Sequence, residues 1–138
     1  MERRDFFKLC CSAMGLACST PFLQSCDPVH QVQASYSQGK LRVPRSSFSE
    51  KDRVMIRSEK SPYPIILLRI SEKEHRAIWL RCTHQGCKLN VGGGIYSCPC
   101  HGSSFSMEGK VLEGPAEKAL PTLKTETHDA DILIQLPQ

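Results

Sequence analysis

The chain has 138 residues, enough for one folded domain and little more. Its hydrophobic share of 40% is that of an ordinary globular chain, and its formal charge of +4 is mild. Arg3, Arg4 and Lys8 supply part of that charge at the very start, so no basic stripe remains to mark a nucleic-acid surface.

The N-terminal segment, 1–26, reads as an export signal or membrane anchor. Charged Met1-Glu2-Arg3-Arg4-Asp5 precedes a mostly apolar or small-residue run from Leu9 to about Leu23. Ser12, Gly15, Ser19, Thr20 and Pro21 interrupt that run. A membrane-spanning helix needs ~20 predominantly apolar residues, so this is a weak span and a better export signal. Arg3-Arg4 followed by Phe6, Phe7 and Lys8 resembles a twin-arginine signal, with Glu2 and Phe7 departing from its pattern. Leu23-Gln24-Ser25-Cys26 resembles a lipobox, with Cys26 as the residue lipidated after cleavage. Asp27 then resembles an inner-membrane retention signal of lipoproteins. A lipoprotein, an uncleaved anchor and a plainly secreted protein all fit this segment. Cys10, Cys11 and Cys18 belong to it and are not expected to be ligands.

Residues 27–39 are polar with no clear period and read as a linker. The folded domain is expected over 40–138. Strands are predicted at Lys40–Val43, Arg53–Arg57, Ile65–Ile70, Ala77–Arg81, Ile95–Ser97, Leu120–Leu123 and Asp131–Leu136. Turn-forming stretches separate them, among them Ser61-Pro62-Tyr63-Pro64, Gly92-Gly93-Gly94 and Glu113-Gly114-Pro115. Many short strands with frequent turns predict an all-β, antiparallel sandwich or barrel. His30, His75 and His128 lie in polar stretches and read as solvated side chains. Trp79 reads as core, and Ser104 as loop.

Two loops hold the chemistry: Cys82-Thr83-His84-Gln85-Gly86-Cys87 and Cys98-Pro99-Cys100-His101-Gly102-Ser103-Ser104-Phe105. These four cysteines are too local to staple a whole fold; their spacing reads as a site. Each loop follows a predicted strand, and the Gly92–Gly94 turn permits a hairpin that sets them side by side. A zinc site with two cysteines and two histidines uses the same ligand types. It leaves Cys87 and Cys100, one in each loop, without a role.

The pattern C-T-H-x-G-C followed by C-P-C-H-G-S resembles the Rieske cluster-binding signature, of the disulfide-containing type found in cytochrome bc and bf complexes. The resemblance covers all six defining positions and continues to about Leu123. It implies a Rieske-like β-sandwich with a cluster-binding subdomain of two loops, and one [2Fe-2S] cluster per chain. Cys82 and Cys98 would bind one iron, His84 and His101 the other, and Cys87 and Cys100 would form the disulfide. Ser103 would donate a hydrogen bond to a cluster sulfur. Gly114-Pro115-Ala116 resembles the proline loop that covers the cluster, although Glu117 stands where a further proline is common.

The implied function is one-electron transfer. Two ferric ions, two sulfides and two thiolates sum to zero, whereas a four-cysteine cluster is anionic. The neutral centre takes an electron more readily, between about −150 and +300 mV against about −400 mV for plant-type ferredoxins. Phe105 stands where high-potential respiratory members commonly carry Tyr, so a lower potential than theirs is expected. Gln85 replaces the Leu usual in quinol-oxidising complexes. The resemblance points to a membrane-tethered subunit or carrier on the outer, periplasmic face of a bacterial inner membrane. Its expected partner is a cytochrome b-type or other oxidoreductase in a quinol-linked chain. The alternatives are a small subunit feeding a separate exported oxidoreductase, as in arsenite-oxidase-like systems, and a structural zinc module.

Overall fold

The structure, a computed structural model, describes residues 29–48 and 51–138. The export or anchor segment and Cys26 lie outside the described residues. Thirteen short strands and one 3₁₀ turn, Arg45–Ser47, make up the regular structure among those described, so the fold is all-β as expected.

The chain opens with β1 (Gln31–Gln33) and β2 (Ser35–Ser37), then β3 (Lys40–Pro44), β4 (Arg53–Arg57), β5 (Ile65–Arg69) and β6 (His75–Trp79). It continues through β7 (Asn90–Gly92), β8 (Ile95–Ser97), β9 (Ser104–Ser106) and β10 (Val111–Glu113). It closes with β11 (Thr122–Leu123), β12 (Thr125–Thr127) and β13 (Asp131–Gln135). Three sheets result, in the orders β1-β4-β5-β6-β11, β12-β13-β3-β2 and β10-β9-β8-β7. Every pairing is antiparallel except β1 with β4.

The five-stranded sheet is the middle layer, because its side chains alternate between two cores. On β5, Ile65 and Leu67 join one core while Ile66 and Leu68 join the other. On β4, Val54 and Ile56 oppose Met55 in the same way. One core, with Leu41, Val43, Ile132 and Ile134, seals this sheet against the four-stranded sheet of β3 and β13. The other, with Ile78, Leu80, Tyr96, Phe105 and Leu120, seals it against the two-loop subdomain.

The expected linker 27–39 requires correction. Within it β1 adds to the middle sheet and β2 to the β3 sheet, so the folded unit starts before residue 40. These strands are three residues long, polar and mostly exposed, which leaves no apolar alternation to read. The strand predicted at Ala77–Arg81 lies two residues earlier, at His75–Trp79. After Trp79 one more rung to β5 follows, the Leu80 amide donating to the Pro64 carbonyl, and then the chain turns to a new partner, with Leu80 accepting from Leu89 and Arg81 bridging Lys88. Ser104, expected in a loop, opens β9. Trp79 is half-buried against the core of Leu41, Val43, Ile132 and Ile134, and its indole N–H donates to Ser61 Oγ at 3.1 Å.

Candidate cluster-binding site

The two cysteine-histidine loops are built alike. In the first, the Cys82 amide donates to the Cys87 carbonyl (2.8 Å), and the Gly86 amide to the Cys82 carbonyl (2.9 Å). In the second, the Cys98 amide donates to the Ser103 carbonyl (2.8 Å), and the Gly102 amide to the Cys98 carbonyl (3.1 Å). Gly86 and Gly102 close the two turns at φ 77° and 82°, a left-handed region that glycine enters without a Cβ clash. The hairpin of β7 and β8 turns through Gly93 and Gly94, both at positive φ, as a two-residue hairpin requires. It brings the second loop beside the first.

Cys82 and Cys98 are free thiols buried among the apolar side chains of one core. His84 and His101 are exposed, with ring centroids 4.8 Å apart and planes at 90°. Cys87 and Cys100 form a disulfide, which joins the loops directly. The Sγ atoms of Cys87, Cys98 and Cys100 lie within 4.8 Å of one another. The disulfide consumes two of these, so the group is one free thiol beside a disulfide rather than a three-ligand metal site. The available donors are then two inward thiols and two outward imidazoles. That set fits a two-iron group held by thiolates on the core side and by imidazoles at the surface.

A cover segment follows β10. Ser103 is fully buried, and its Oγ accepts the Ala116 amide at 2.9 Å. With a lone pair so engaged, the hydroxyl proton is left to point elsewhere. Gly114 and Pro115 are exposed, and the peptide between them is cis. Thr83 Oγ1 donates to the Lys118 carbonyl at 2.6 Å and ties the cover to the first loop. Sequence reading missed Thr83, because its partner lies 35 residues away and no local pattern announces it. Glu117 and Gln85 are exposed.

Phe105 is fully buried beside the same core as Cys82 and Cys98 and is paired with Tyr96 across β8 and β9. Tyr96 is also fully buried; its hydroxyl donates to the Met107 carbonyl at 3.0 Å, and burial pushes its pKa up to about 12. It stays a neutral donor at any working pH.

Comparison with known proteins gives this geometry a context. The sequence model described as the Rieske [2Fe-2S] domain matches residues 32–124. The cytochrome b6-f complex iron-sulfur subunit of Synechococcus sp. (strain JA-2-3B'a(2-13)) is 37% identical over 82 residues, 58% of this chain and 47% of that protein. The subunit of the same description from a strain of Prochlorococcus marinus is 42% identical over 55 residues, 38% of this chain and 31% of that protein. The chain therefore spans about half or less of the length of the curated relatives it matches. Among solved structures, the plasma membrane Rieske protein PetC3 of the cyanobacterium Synechocystis PCC 6803 is 31% identical at a TM-score of 0.50. That match covers 67% of this chain and 95% of the other.

Proposed function

This chain belongs to the Rieske [2Fe-2S] domain family, and from that premise we propose that it is a membrane-tethered one-electron carrier on the outer face of a bacterial inner membrane. It is an electron-transfer protein with one [2Fe-2S] cluster, related to cytochrome b6-f iron-sulfur subunits. When bound, the cluster would supply one-electron chemistry. Cys82 and Cys98 would hold one iron through their thiolates, and His84 and His101 the other through imidazole nitrogens. The observation that carries this reading is the division of donors, with buried free thiols behind exposed, facing imidazoles. The exposed histidines put the redox centre within reach of a partner and open to a proton.

The Cys87–Cys100 disulfide supports an extracytoplasmic site, because such bonds persist where thiols are not kept reduced. The export-like segment 1–26, with Cys26 as a lipidation site or the segment as an uncleaved anchor, supplies the tether. The likeness to cytochrome b6-f subunits supports a cytochrome b-type partner and a quinol-linked chain. One observation favours a second reading, a small subunit feeding a separate exported oxidoreductase. Gln85 stands exposed at the first loop, where an apolar tip would suit docking at a quinol site.

The test is an EPR-monitored redox titration of the membrane-associated chain and its Phe105→Tyr variant. The expected result is a rhombic spectrum of low average g that emerges on mild reduction. The buried Phe105 ring has no hydroxyl to offer a ligand sulfur. One added neutral hydrogen bond of about 1 kcal/mol raises a one-electron midpoint by about 40 mV. A colourless, zinc-containing sample that stays silent after cluster reconstitution overturns the reading. An unmoved midpoint in Phe105→Tyr removes the argument that Phe105 lowers the potential.

A further inference from the structure

Four cations of the sheets are held in ion pairs: Lys40 with Glu126 (2.9 Å), Arg42 with Asp131 (2.8 Å), Arg45 with Glu72 (2.7 Å) and Arg69 with Asp52 (2.7 Å). Other exposed cations, among them Arg57, Lys73 and Arg76, stand singly without an ion pair among the described residues. At the first cysteine-histidine loop two such cations are set directly opposite each other. Arg81 and Lys88 flank that loop, both exposed, and neither has an ion-pair partner among the described residues. They are direct partners in an isolated antiparallel bridge. Residues so opposed project from the same face with Cβ atoms about 4.5–5.5 Å apart, and like charges there are destabilising. A like-charged pair is therefore kept where a neutral pair would be more stable.

The Arg81 guanidinium is also held in place. It lies 5.9 Å from the Trp79 ring centroid on one side. On the other it lies over Gly86, where a Cβ would meet Arg81 Nε at 3.3 Å. Gly86 at φ 77° thus serves both the turn and the seat of this cation. Lys118 adds a third exposed charge, since its carbonyl is bound by Thr83 within the same loop. Its neighbour Glu117 offsets that addition, which leaves Arg81 and Lys88 as the centre of the patch.

We propose that the Arg81–Lys88 pair is the docking face for an acidic one-electron acceptor protein. The inference rests on the reading of Cys82 and Cys98 as cluster ligands. Complementary charge steers encounter and raises the on-rate. A redox partner gains most when steered to the face nearest the cluster, and this pair brackets the ligand loop itself. The step is the passage of one electron from the reduced cluster to the acceptor, with no bond made or broken.

Two inorganic oxidants of opposite charge make the test. Cluster-loaded chain is reduced and mixed with ferricyanide, which becomes ferrocyanide, or with tris(phenanthroline)cobalt(III), which becomes the cobalt(II) complex. At low salt, Arg81→Gln/Lys88→Gln is expected to slow the ferricyanide reaction several-fold and leave the cobalt reaction equal or faster. The difference should vanish near 1 M salt, where the screening length is about 3 Å. Lys73→Gln, in the turn at the far end of β6, should change neither rate. Lys88→Gln alone should give part of the effect if replacing Arg81 disturbs the loop. Equal slowing with both oxidants, or a shift in midpoint large enough to account for it, overturns the proposal. A second readout needs no cluster: anisotropy of a labelled short polyglutamate peptide should show weaker binding to the double variant than to Lys73→Gln. If the variants bind the peptide equally but differ on phosphatidylglycerol vesicles, the face meets a membrane and the proposal is wrong. If no cluster assembles on the unaltered chain, the ligand reading fails, and the peptide arm still decides the docking face.

Discussion

Burial and two arginines, opposed by one glutamate, set the protonation of His75. The ring is nearly inaccessible, packs 5.4 Å from the Phe48 ring and sits with Nδ1 2.9 Å from Thr127 Oγ1. Burial lowers its pKa below 6.5, and the charges of Arg45 and Arg69 lower it further against the opposing pull of Glu72. The unfolded chain, with an ordinary histidine, then binds more protons than the folded one just below pH 6.5. Stability must therefore fall as pH drops through that value towards the folded pKa. His75→Gln should cost roughly 1 kcal/mol near pH 8, where a packed hydrogen-bonded ring is lost. It should also flatten the slope of stability between pH 5.5 and 7.5. Urea unfolding of both proteins across that range checks this; parallel slopes would show that His75 is not the titrating group. The sequence reading placed His75 in solvent because Glu72, Lys73, Glu74 and Arg76 surround it. The inward position was nonetheless legible, since His75 and Ala77 share one face of β6 and Ala77 is core. At the loops, by contrast, cysteine, histidine and glycine spacing announced the site directly, because each type does one job that few others can.

At the scale of elements, the cover over the loops hangs from two hydroxyls of unequal weight. Ser103 Oγ is buried and is the acceptor for the Ala116 amide, so Ser103→Ala strands that amide in the core. A stranded buried donor costs about 1–3 kcal/mol. The Thr83 bond to the Lys118 carbonyl is exposed, and water replaces it in Thr83→Val at a cost of about 1 kcal/mol or less. Ser103→Ala should therefore lower the unfolding midpoint more and release the visible chromophore faster under chelator. The reverse order would mean that the cover is suspended from the first loop instead. Neither bond was legible, for the partners are distant in sequence and meet only when the cover folds back. The strands divide along the same line. Ile65–Arg69 and Asp131–Gln135 were read correctly because apolar runs of that length have few other uses. Strands β1, β2, β7, β9, β10 and β12 were missed because each is only three residues long, and of these β9 alone carries a fully buried side chain, Phe105. Their existence depends on a neighbouring edge to pair with, which sequence does not display.

Taken whole, the molecule has two cores on opposite faces of one sheet, and only one of them touches the loops. Cys82, Cys98, Tyr96 and Phe105 belong to that core, whereas the β3 and β13 side chains pack solely in the other. The base can therefore hold together while the loop subdomain opens. The Cys87–Cys100 disulfide, with a sequence separation of 13, restrains that subdomain and crosses no other part of the chain. Closing a loop of about this length limits the unfolded chain by about 3 kcal/mol. Cys87→Ser/Cys100→Ser removes the restraint on one subdomain and leaves the base untouched. Two separate denaturant transitions are expected of the variant: loss of the visible chromophore first, then loss of the far-ultraviolet strand signal at a higher concentration. In the parent chain the two should lie closer together. A single coincident transition in the variant would show that the cores unfold as one and that the middle sheet couples them more tightly than shared strands imply. The β5 residues Ile65 to Leu68 would then be the coupling element, because they alternate between both cores along one strand.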